Sequence, residues 1–231
     1  MSGCVLNVDG LRHRYLIVRH AVSLANERRL IVSSPGEGVK ADYGLSAHGK
    51  RQAAAAGKRI ADWIASPASQ VPSDQPIAVC TSPFSRAVET ARRIHDYLGQ
   101  DARLSSRLLT RSDGPVVLDD LRERSFGNFE LKGDEHYQTV WANDSRFGER
   151  CEANNVESTY SVAMRAAGVI RDLERRFMEP RLCILVSHGD TLQILQAVFS
   201  KVPPHHHRRM RHLENCEFRE LNGPSVPLSK I

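Results

Sequence analysis

The stretch Tyr15-Leu16-Ile17-Val18-Arg19-His20 decides how the rest of the chain is interpreted. Four apolar or aromatic residues predict a buried strand, and that strand ends abruptly in an arginine and a histidine. In open α/β folds, the carboxyl ends of parallel strands form the crevice in which ligands bind. The same pattern returns where the apolar run 182–186 ends in Ser187-His188-Gly189. Two apolar strands that each end in a histidine favour a functional site over a packing role.

Strand-like and helix-like segments alternate along the chain, which predicts an α/β fold. We expect a three-layer sandwich in which helices cover both faces of a mostly parallel central sheet. The predicted strands are 15–18, 77–80, 116–118 and 182–187, with an edge strand at 216–221. Helices are predicted to start at Ser46, Ser82-Pro83, Ser158 and about Asp190. With 231 residues and no internal repeat, we predict a single domain over 1–231 with its core at about 13–221.

Two segments carry no clear periodicity. The stretch 32–43 is rich in Gly, Pro and Ser and is predicted to be a loop. The stretch 132–155 is polar, and we expect an irregular, mobile surface region over a site. Loop 27–43 and region 132–155 are the expected specificity elements, but neither contains a pattern that identifies a ligand.

Composition and charge limit the possible classes of protein. The chain is 41% apolar and 26% charged, has no apolar run long enough to cross a bilayer, and shows no signal-peptide stretch in residues 1–14. Its five cysteines form no CxxC pair. We therefore expect a reduced, cytoplasmic protein with no membrane partner. The net charge is +5, yet the basic residues are scattered and aromatics reach only 6%, which favours an anionic small molecule over nucleic acid.

Charged side chains follow four of the predicted strands. Arg19 and His20 end the first, Arg86 lies early in the helix after the second, Glu123 follows the third, and His188 ends the fourth. Side chains at these strand ends converge on one cleft. Arginine forks bind phosphate oxygens, a histidine nitrogen can attack phosphorus, and a carboxyl group can protonate a leaving oxygen. The set predicts phosphoryl chemistry without a metal or other cofactor.

Five short motifs, in this order and spacing, resemble those of the histidine phosphatase superfamily, which includes the cofactor-dependent phosphoglycerate mutases. The resemblance extends from Tyr15 to about Leu221. The motifs are Arg19-His20-Ala21-Val22-Ser23-Leu24-Ala25-Asn26, Leu45-Ser46-Ala47-His48-Gly49-Lys50-Arg51-Gln52-Ala53, Thr81-Ser82-Pro83-Phe84-Ser85-Arg86-Ala87 with Thr90-Ala91, Leu121-Arg122-Glu123 with Gly127, and Ser187-His188-Gly189.

The resemblance implies a role for each matching residue. His20 would accept the phosphoryl group and form a phosphohistidine. Glu123 would protonate the leaving group and then activate water. The residues implied to bind the phosphoryl group are Arg19, Asn26, Arg86, His188 and Gly189. The family match therefore implies a phosphoric monoester hydrolase that acts on a small phosphorylated molecule, with a phosphoprotein as a further possible substrate.

The chain departs from the family pattern in ways that favour a phosphatase over a mutase. Ala21 stands where the family has glycine, and a left-handed backbone there would cost roughly 1–2 kcal/mol. Val22 replaces a residue that is usually polar or acidic, and loop 27–43 lacks the tryptophan-bearing signature of the mutases. Two alternatives remain: a phosphoglycerate mutase, and an impaired family member that binds phosphorylated ligands as a scaffold. Ala21 is the best support for the scaffold.

Each candidate residue also has a structural interpretation. His20 could be a hydrogen-bonding residue at a strand end, Arg86 could lie on a helix surface, Glu123 could form a surface ion pair, and Asn26 could cap a turn.

The run 205–212, His-His-His-Arg-Arg-Met-Arg-His, invites a metal or nucleic-acid interpretation. Because consecutive histidines point in different directions, a solvated basic loop is favoured. A further hypothesis is that this loop borders the cleft and attracts anionic substrates.

Overall fold

The computed structural model describes residues 6–109 and 113–221. Its strands are β1 (Arg14–Arg19), β2 (Ile77–Thr81), β3 (Val116–Val117), β4 (Leu182–Ser187) and β5 (Phe218–Glu220). They form a sheet in the order β3-β2-β4-β1-β5. The first four strands are parallel, and β5 runs antiparallel to β1 at one edge. Every residue of β2 and β4 is buried, as expected for central strands covered on both faces.

Seven α-helices connect and flank these strands in the described part of the chain. They are α1 (Leu24–Glu27), α2 (Pro35–Gly38), α3 (Ala47–Ala65), α4 (Ser85–Gln100), α5 (His136–Phe147), α6 (Thr159–Arg176) and α7 (Gly189–Phe199). Short 3-10 turns lie at Ala41–Tyr43, Pro67–Ser69, Ser105–Arg107, Asp119–Leu121, Gly127–Phe129, Ala153–Asn155 and Pro204–Arg209.

Alternating strand residues direct their side chains to opposite faces of the sheet, and each face packs against its own pair of helices. Leu16 and Val18 pack with α3 and α4 on one face. Tyr15 and Ile17 pack with α6 and α7 on the other. The predicted three-layer α/β architecture is therefore confirmed, and it places the carboxyl ends of β1, β2 and β4 side by side.

Two predicted helix starts are confirmed by their caps, and one is wrong. The Ser46 hydroxyl accepts a hydrogen bond from the Gly49 amide at 3.1 Å, and α6 begins after Ser158 in the same manner. Ser82, however, does not cap α4, which begins at Ser85. The Ser82 hydroxyl lies 2.7 Å from His188 Nε2, so this side chain serves the cleft instead.

The prediction of an irregular region at 132–155 is wrong, because α5 occupies twelve of its residues. The helix buries Val140 and Asp144 rather than a broad apolar stripe. Asp144 receives two hydrogen bonds of 2.7 Å from Arg124, a side chain that is itself buried. This ion pair anchors a helix whose sequence is too polar for its periodicity to be recognised. Loop 32–43 is likewise more ordered than predicted, since it contains α2 and a 3-10 turn.

The described residues contain no helix of sufficient length and apolarity to cross a bilayer. Cys80, Cys183 and Cys216 are buried, Cys151 is half-buried, and all four are free thiols. Burial raises the pKa of Cys80 and of Cys216 to about 12, so these two thiols behave as small apolar side chains. Cys4 lies outside the described residues.

Candidate active site

The predicted strand-end residues meet at the carboxyl edge of the sheet. His20 and His188 directly follow the neighbouring strands β1 and β4, and their ring centroids lie 5.0 Å apart. Arg86 is the second residue of α4, and its Nε lies 3.2 Å from His20 Nε2. All three side chains are buried. The interpretation of Arg86 as a helix-surface residue is therefore wrong.

The hydrogen bonds of His20 fix which ring nitrogen is available for reaction. Nδ1 lies 2.8 Å from the carbonyl oxygen of Ala21, and because a carbonyl only accepts, Nδ1 carries the proton. Nε2 then holds a lone pair, which accepts the hydrogen bond from Arg86 Nε. Burial, followed by the positive charges of Arg86 and Arg19, lowers the pKa of His20 well below its usual value. The imidazole is therefore neutral, as a nucleophile must be.

Three side-chain nitrogens near His20 are buried without a hydrogen-bond partner among the described residues. They are Arg19 Nε, Arg86 Nη1 and His188 Nδ1. Buried polar groups are nearly always paired, so the unpaired guanidinium nitrogens of Arg19 and Arg86 suit an anionic acceptor between them. A space of about 30 Å³ lined by Arg19, His20 and Arg86 lies at this point. An oxyanion of phosphoryl size satisfies the set chemically.

The remaining nitrogens of these side chains are held by fixed groups. Arg19 Nη1 donates to the Leu213 carbonyl at 2.9 Å and to His212 Nε2 at 2.8 Å. Arg86 Nη2 donates to the Val32 carbonyl at 2.8 Å. The two guanidiniums are thus positioned before any ligand binds, which lowers the entropic cost of binding.

Glu123 presents one anchored and one unpaired oxygen. Its Oε1 accepts hydrogen bonds from the Arg124 amide at 2.9 Å and from the amide and hydroxyl of Thr191 at 3.2 Å each. No described residue hydrogen-bonds to Oε2. Burial, followed by the negative charge of Asp190, raises the pKa of Glu123 above its usual value, although the backbone donors oppose the shift. A carboxyl group of this kind can carry a proton at mildly acidic pH.

Ala21 does not strain the loop that follows β1. It is not among the residues with positive φ, so the left-handed cost considered for this position is absent. Its methyl group is buried in an apolar cluster with Leu45, Ala53 and Ala56. Its amide donates to Thr90 Oγ1 at 3.1 Å. The observation that favoured an impaired scaffold therefore loses its physical basis.

Asn26 and Gly189 both lie at the edge of the cleft. The Asn26 side-chain oxygen accepts hydrogen bonds from the amide and hydroxyl of Ser23, which is the N-cap of α1, so Asn26 completes a capping box at the start of that helix. Gly189 begins α7, and a Cβ there would lie 3.8 Å from Arg19 Nε. Both contact the same space as His20, and their part in ligand binding stays a prediction.

Comparison with known proteins identifies the family. The model of the histidine phosphatase superfamily (branch 1) matches residues 15–224, which is most of the chain. This protein belongs to the histidine phosphatase superfamily. The family resemblance predicted from the five motifs is thereby confirmed. Among curated protein sequences, none matches this chain significantly.

Solved structures with the same fold include two that are named as phosphatases. A mycobacterial glucosyl-3-phosphoglycerate phosphatase complexed with VO3 aligns with a TM-score of 0.67 at 21% identity, covering 90% of each chain. YhfR of Bacillus stearothermophilus gives 0.65 at 19%, again over 90% of each chain. The phosphoserine phosphatase of Entamoeba histolytica complexed with 3-phosphoglyceric acid gives 0.62 at 18%, over 90% of this chain and 89% of that chain.

In this histidine phosphatase superfamily member, the phosphoryl-sized space opens into an outer cavity of about 240 Å³. Arg19, Glu123 and Tyr137 line both spaces, so the two are continuous. The residues that line the outer cavity alone are Arg29, Phe126, Asp134, Trp141, Asp190, Arg208 and His212. Both segments expected to carry specificity, 27–43 and 132–155, contribute to this wall.

The run 205–212 is only partly the solvated loop predicted from its sequence. His207 is fully buried, and its Nε2 lies 3.7 Å from Asp190 Oδ2. The run forms a 3-10 turn against α5 and α7, so burial of His207 follows from packing rather than from a local pattern. Arg208 and His212 reach the outer cavity, which confirms that the run borders the cleft. Within residues 6–109 and 113–221, no three His, Cys, Asp or Glu side chains converge as a metal site.

Two residues near the reacting groups were not predicted from the sequence. His212 orients Arg19 through the 2.8 Å contact described above, and Asp190 raises the pKa of Glu123. Asp190 itself accepts hydrogen bonds from Trp141 at 3.0 and 3.1 Å and from Arg124 at 3.3 Å. The position of Asp190 two residues after His188 was a signal, because it places a carboxylate in the first turn of a helix that follows a strand end.

Proposed function

We propose that this protein hydrolyses phosphomonoesters through a phosphohistidine formed on His20 Nε2. The observation that carries the proposal is the His20 imidazole, which keeps a lone pair on Nε2 and lines a small space beside unpaired donors of Arg19 and Arg86. Nucleophile and oxyanion donors are the two parts that phosphoryl transfer requires at one point. The proposal needs no metal or other cofactor.

In the first step, the lone pair of Nε2 attacks phosphorus and the bond from phosphorus to the leaving oxygen breaks. Arg86 Nε, which donates to Nε2 before substrate binds, transfers its hydrogen bond to a phosphoryl oxygen and frees the lone pair. Glu123 Oε2 gives its proton to the leaving oxygen, so an alcohol departs. The guanidiniums offset the negative charge on the phosphoryl oxygens throughout.

In the second step, the Glu123 carboxylate accepts a proton from water while the water oxygen attacks phosphorus. The nitrogen–phosphorus bond breaks, its electron pair returns to Nε2, and inorganic phosphate leaves. Glu123 is then protonated and His20 neutral, so the site has returned to its first state. The unpaired Oε2 on the cavity side suits both transfers.

A small phosphorylated molecule is the proposed substrate. The cavity of about 240 Å³ beyond the phosphoryl space has the scale of a metabolite site rather than of an extended groove. Structural neighbours named for glucosyl-3-phosphoglycerate and for phosphoserine support the same class. Four free cysteines support the expected reducing, cytoplasmic compartment.

The test is turnover of 4-nitrophenyl phosphate in the presence of a metal chelator. We expect the wild-type protein to release phosphate and His20→Ala to lose at least about a thousand-fold in kcat. His48→Ala is the matched control, because His48 is exposed on α3. Rapid quench in alkali, where phosphohistidine survives, is expected to trap phosphate on the wild-type protein and not on His20→Ala.

Three results would contradict this proposal. Full turnover by His20→Ala would exclude His20 as the nucleophile. Interconversion of phosphoglycerates with little release of phosphate would identify a mutase. Binding of phosphate without any turnover would identify a scaffold.

A further inference from the structure

We propose that the substrate carries a second anionic group, a carboxylate or a second phosphate, and that Arg208 binds it. This inference rests on the proposed function, since it concerns the part of the substrate that is not transferred. It identifies Arg208, in the middle of the basic run 205–212, as the residue that selects the substrate.

The arginines around the two connected spaces differ in whether a carboxylate lies close enough to offset their charge. Within the described residues, Arg19, Arg86 and Arg208 have no carboxylate within 4.0 Å, whereas the other cavity arginine, Arg29, pairs with Asp134 at 2.9 Å. A phosphomonoester dianion can offset the charges of Arg19 and Arg86. The charge of Arg208 then remains, and it lies in the outer cavity where the leaving group must sit.

Arg208 is held in place by neutral groups. Its guanidinium lies 3.7 Å from the centroid of the Trp141 ring, and its Nη1 donates to the side-chain oxygen of Gln193. Gln193 is buried, and its own amide nitrogen donates to the Met210 carbonyl at 2.7 Å, which fixes the orientation of the amide. Neither Nε nor Nη2 of Arg208 has a hydrogen-bond partner among the described residues. The guanidinium is therefore positioned and has donors to spare.

The surroundings of the Arg208 guanidinium favour a bound anion over solvation by water. Burial, the largest cause, lowers the pKa of Arg208, and Arg19 acts in the same direction while Asp190 opposes it. Asp190 is already engaged by Trp141 and Arg124, so it is not a free counter-ion. A half-buried guanidinium without a carboxylate partner is only weakly solvated by water. An anion therefore binds to it more strongly than to an exposed guanidinium.

The arrangement favours an anion over a neutral ring as the occupant. The Trp141 ring is covered by Arg208 and also stacks on Tyr137 with a centroid separation of 5.4 Å. The indole N–H is used by Asp190. Arg208 therefore supplies unused donors to this wall, as do Arg19 Nε and His212 Nδ1, and a guanidinium fork matches carboxylate and phosphate oxygens.

The experiment compares substrates that differ only in the second group. ω-Phosphooxy carboxylates of two to six carbons are paired with ω-hydroxyalkyl phosphates of equal length, and α,ω-alkanediol bisphosphates form a third series. We measure kcat/KM for the wild-type protein and for Arg208→Gln, Arg208→Lys and Arg209→Gln. The matched control is Arg209, an exposed neighbour in the same run. Thermal unfolding of each variant verifies that it is folded.

The expected result is a preference of at least about ten-fold for a doubly anionic substrate at one chain length. The carboxylate and bisphosphate series show which anion is preferred. In Arg208→Gln, the ratio of kcat/KM for the doubly anionic substrate to that for its hydroxyalkyl partner falls close to one. Arg208→Lys retains part of the preference, and Arg209→Gln retains all of it. The inference is overturned if the wild-type protein shows no preference at any length, or if Arg208→Gln keeps it.

Binding measurements separate this inference from the proposed function. The same compounds are titrated into His20→Ala by calorimetry, with and without Arg208→Gln. Binding that depends on Arg208 in the absence of any wild-type hydrolysis would support the anion site and contradict the phosphatase. Hydrolysis without a preference would support the phosphatase and contradict the anion site.

Discussion

His20 and Glu123 lie in the same buried cleft, yet their surroundings shift their protonation in ways that suit opposite tasks. Burial disfavours the charged form of both groups, so it lowers the pKa of the His20 imidazole and raises the pKa of the Glu123 carboxyl group. The neighbours add to this difference, since two arginines lie near His20 and Asp190 lies near Glu123. The same buried cleft thus favours a neutral imidazole, as the proposed nucleophile requires, and a protonated carboxyl group, as the proposed general acid requires.

The pH dependence of kcat/KM follows from these two shifts. The pKa of His20 lies below 6.5, so acidification removes the nucleophile only well below that value. The pKa of Glu123 lies above 4.5, and raising the pH through it removes the acid that protonates the leaving group. We expect a profile that falls on both sides, measured with an alkyl phosphate whose leaving oxygen requires the proton.

The substitution Glu123→Gln tests whether Glu123 is the acid that protonates the leaving group. We expect a loss of about 10²–10⁴-fold with an alkyl phosphate, no remaining alkaline decline, and a much smaller loss with 4-nitrophenyl phosphate. The control is Glu27→Gln, because Glu27 is an exposed carboxylate on α1. Equal losses with both substrates would show that Glu123 does not act as the acid.

At the residue scale, the sequence predicted the reacting groups better than the groups that orient them. His20 and His188 were recognisable because each follows an apolar run, and Arg86 and Glu123 because they fit motifs after strands. His212 gave no such signal, since its contact with Arg19 depends on the path of a segment without regular periodicity. The position of the proton on His20 depends on the Ala21 carbonyl, and the largest cause of its lowered pKa is burial, and both follow from the three-dimensional packing.

At the scale of elements, capped and periodic helices were predictable and ion-paired ones were not. The helices α3 and α6 begin after serine caps and bury one apolar stripe each. In contrast, α5 depends on the buried pair of Asp144 with Arg124, which lie twenty positions apart. Sequence periodicity reports the spacing of apolar residues. It contains no information about an ion pair between residues that are distant in the sequence.

The contact between α3 and the loop after His20 depends on a single glycine. A Cβ on Gly49 would lie 1.9 Å from the Val22 carbonyl oxygen, and backbone at that distance must move. Val22 is two residues from His20, and its amide is held by Gln52 Oε1 at 3.0 Å. The close packing of α3 on this loop therefore fixes the position of His20, the proposed nucleophile.

We expect Gly49→Ala to lower kcat at least about ten-fold and to destabilise the protein by about 1–3 kcal/mol, as overpacking does. Gly168→Ala is the matched control within α6, where the nearest side-chain atom to the new Cβ lies 3.7 Å away. That variant is expected to be neutral or more stable by about 0.5–1 kcal/mol. Denaturant unfolding and turnover of the two variants test the argument, and similar behaviour of both would refute it.

At the scale of the whole molecule, the sheet brings distant parts of the chain to one edge. β1 lies between β4 and β5, so strands from the beginning and the end of the described chain are neighbours. Arg219 of β5 donates hydrogen bonds to the carbonyls of Arg211 at 2.8 Å and His212 at 3.3 Å, so the last strand helps to hold the segment that contacts Arg19. The family match over 15–224 agrees with this topology, and the single domain over 1–231 stays a prediction.

The unpaired cations of the cleft make the ligand-free protein less stable than its complex with phosphate. Ligand that binds only the folded state at a hundred times its Kd adds about 2.7 kcal/mol, which corresponds to roughly 5–10 °C in Tm for a chain of this length. We expect that shift from inorganic phosphate at constant ionic strength, measured against chloride. Arg86→Gln is expected to lose most of it, because Arg86 supplies an unpaired donor, while the exposed Arg51→Gln keeps it. An equal shift in both variants would place the stabilising anion elsewhere on the surface and contradict the assignment of the cleft as the phosphate site.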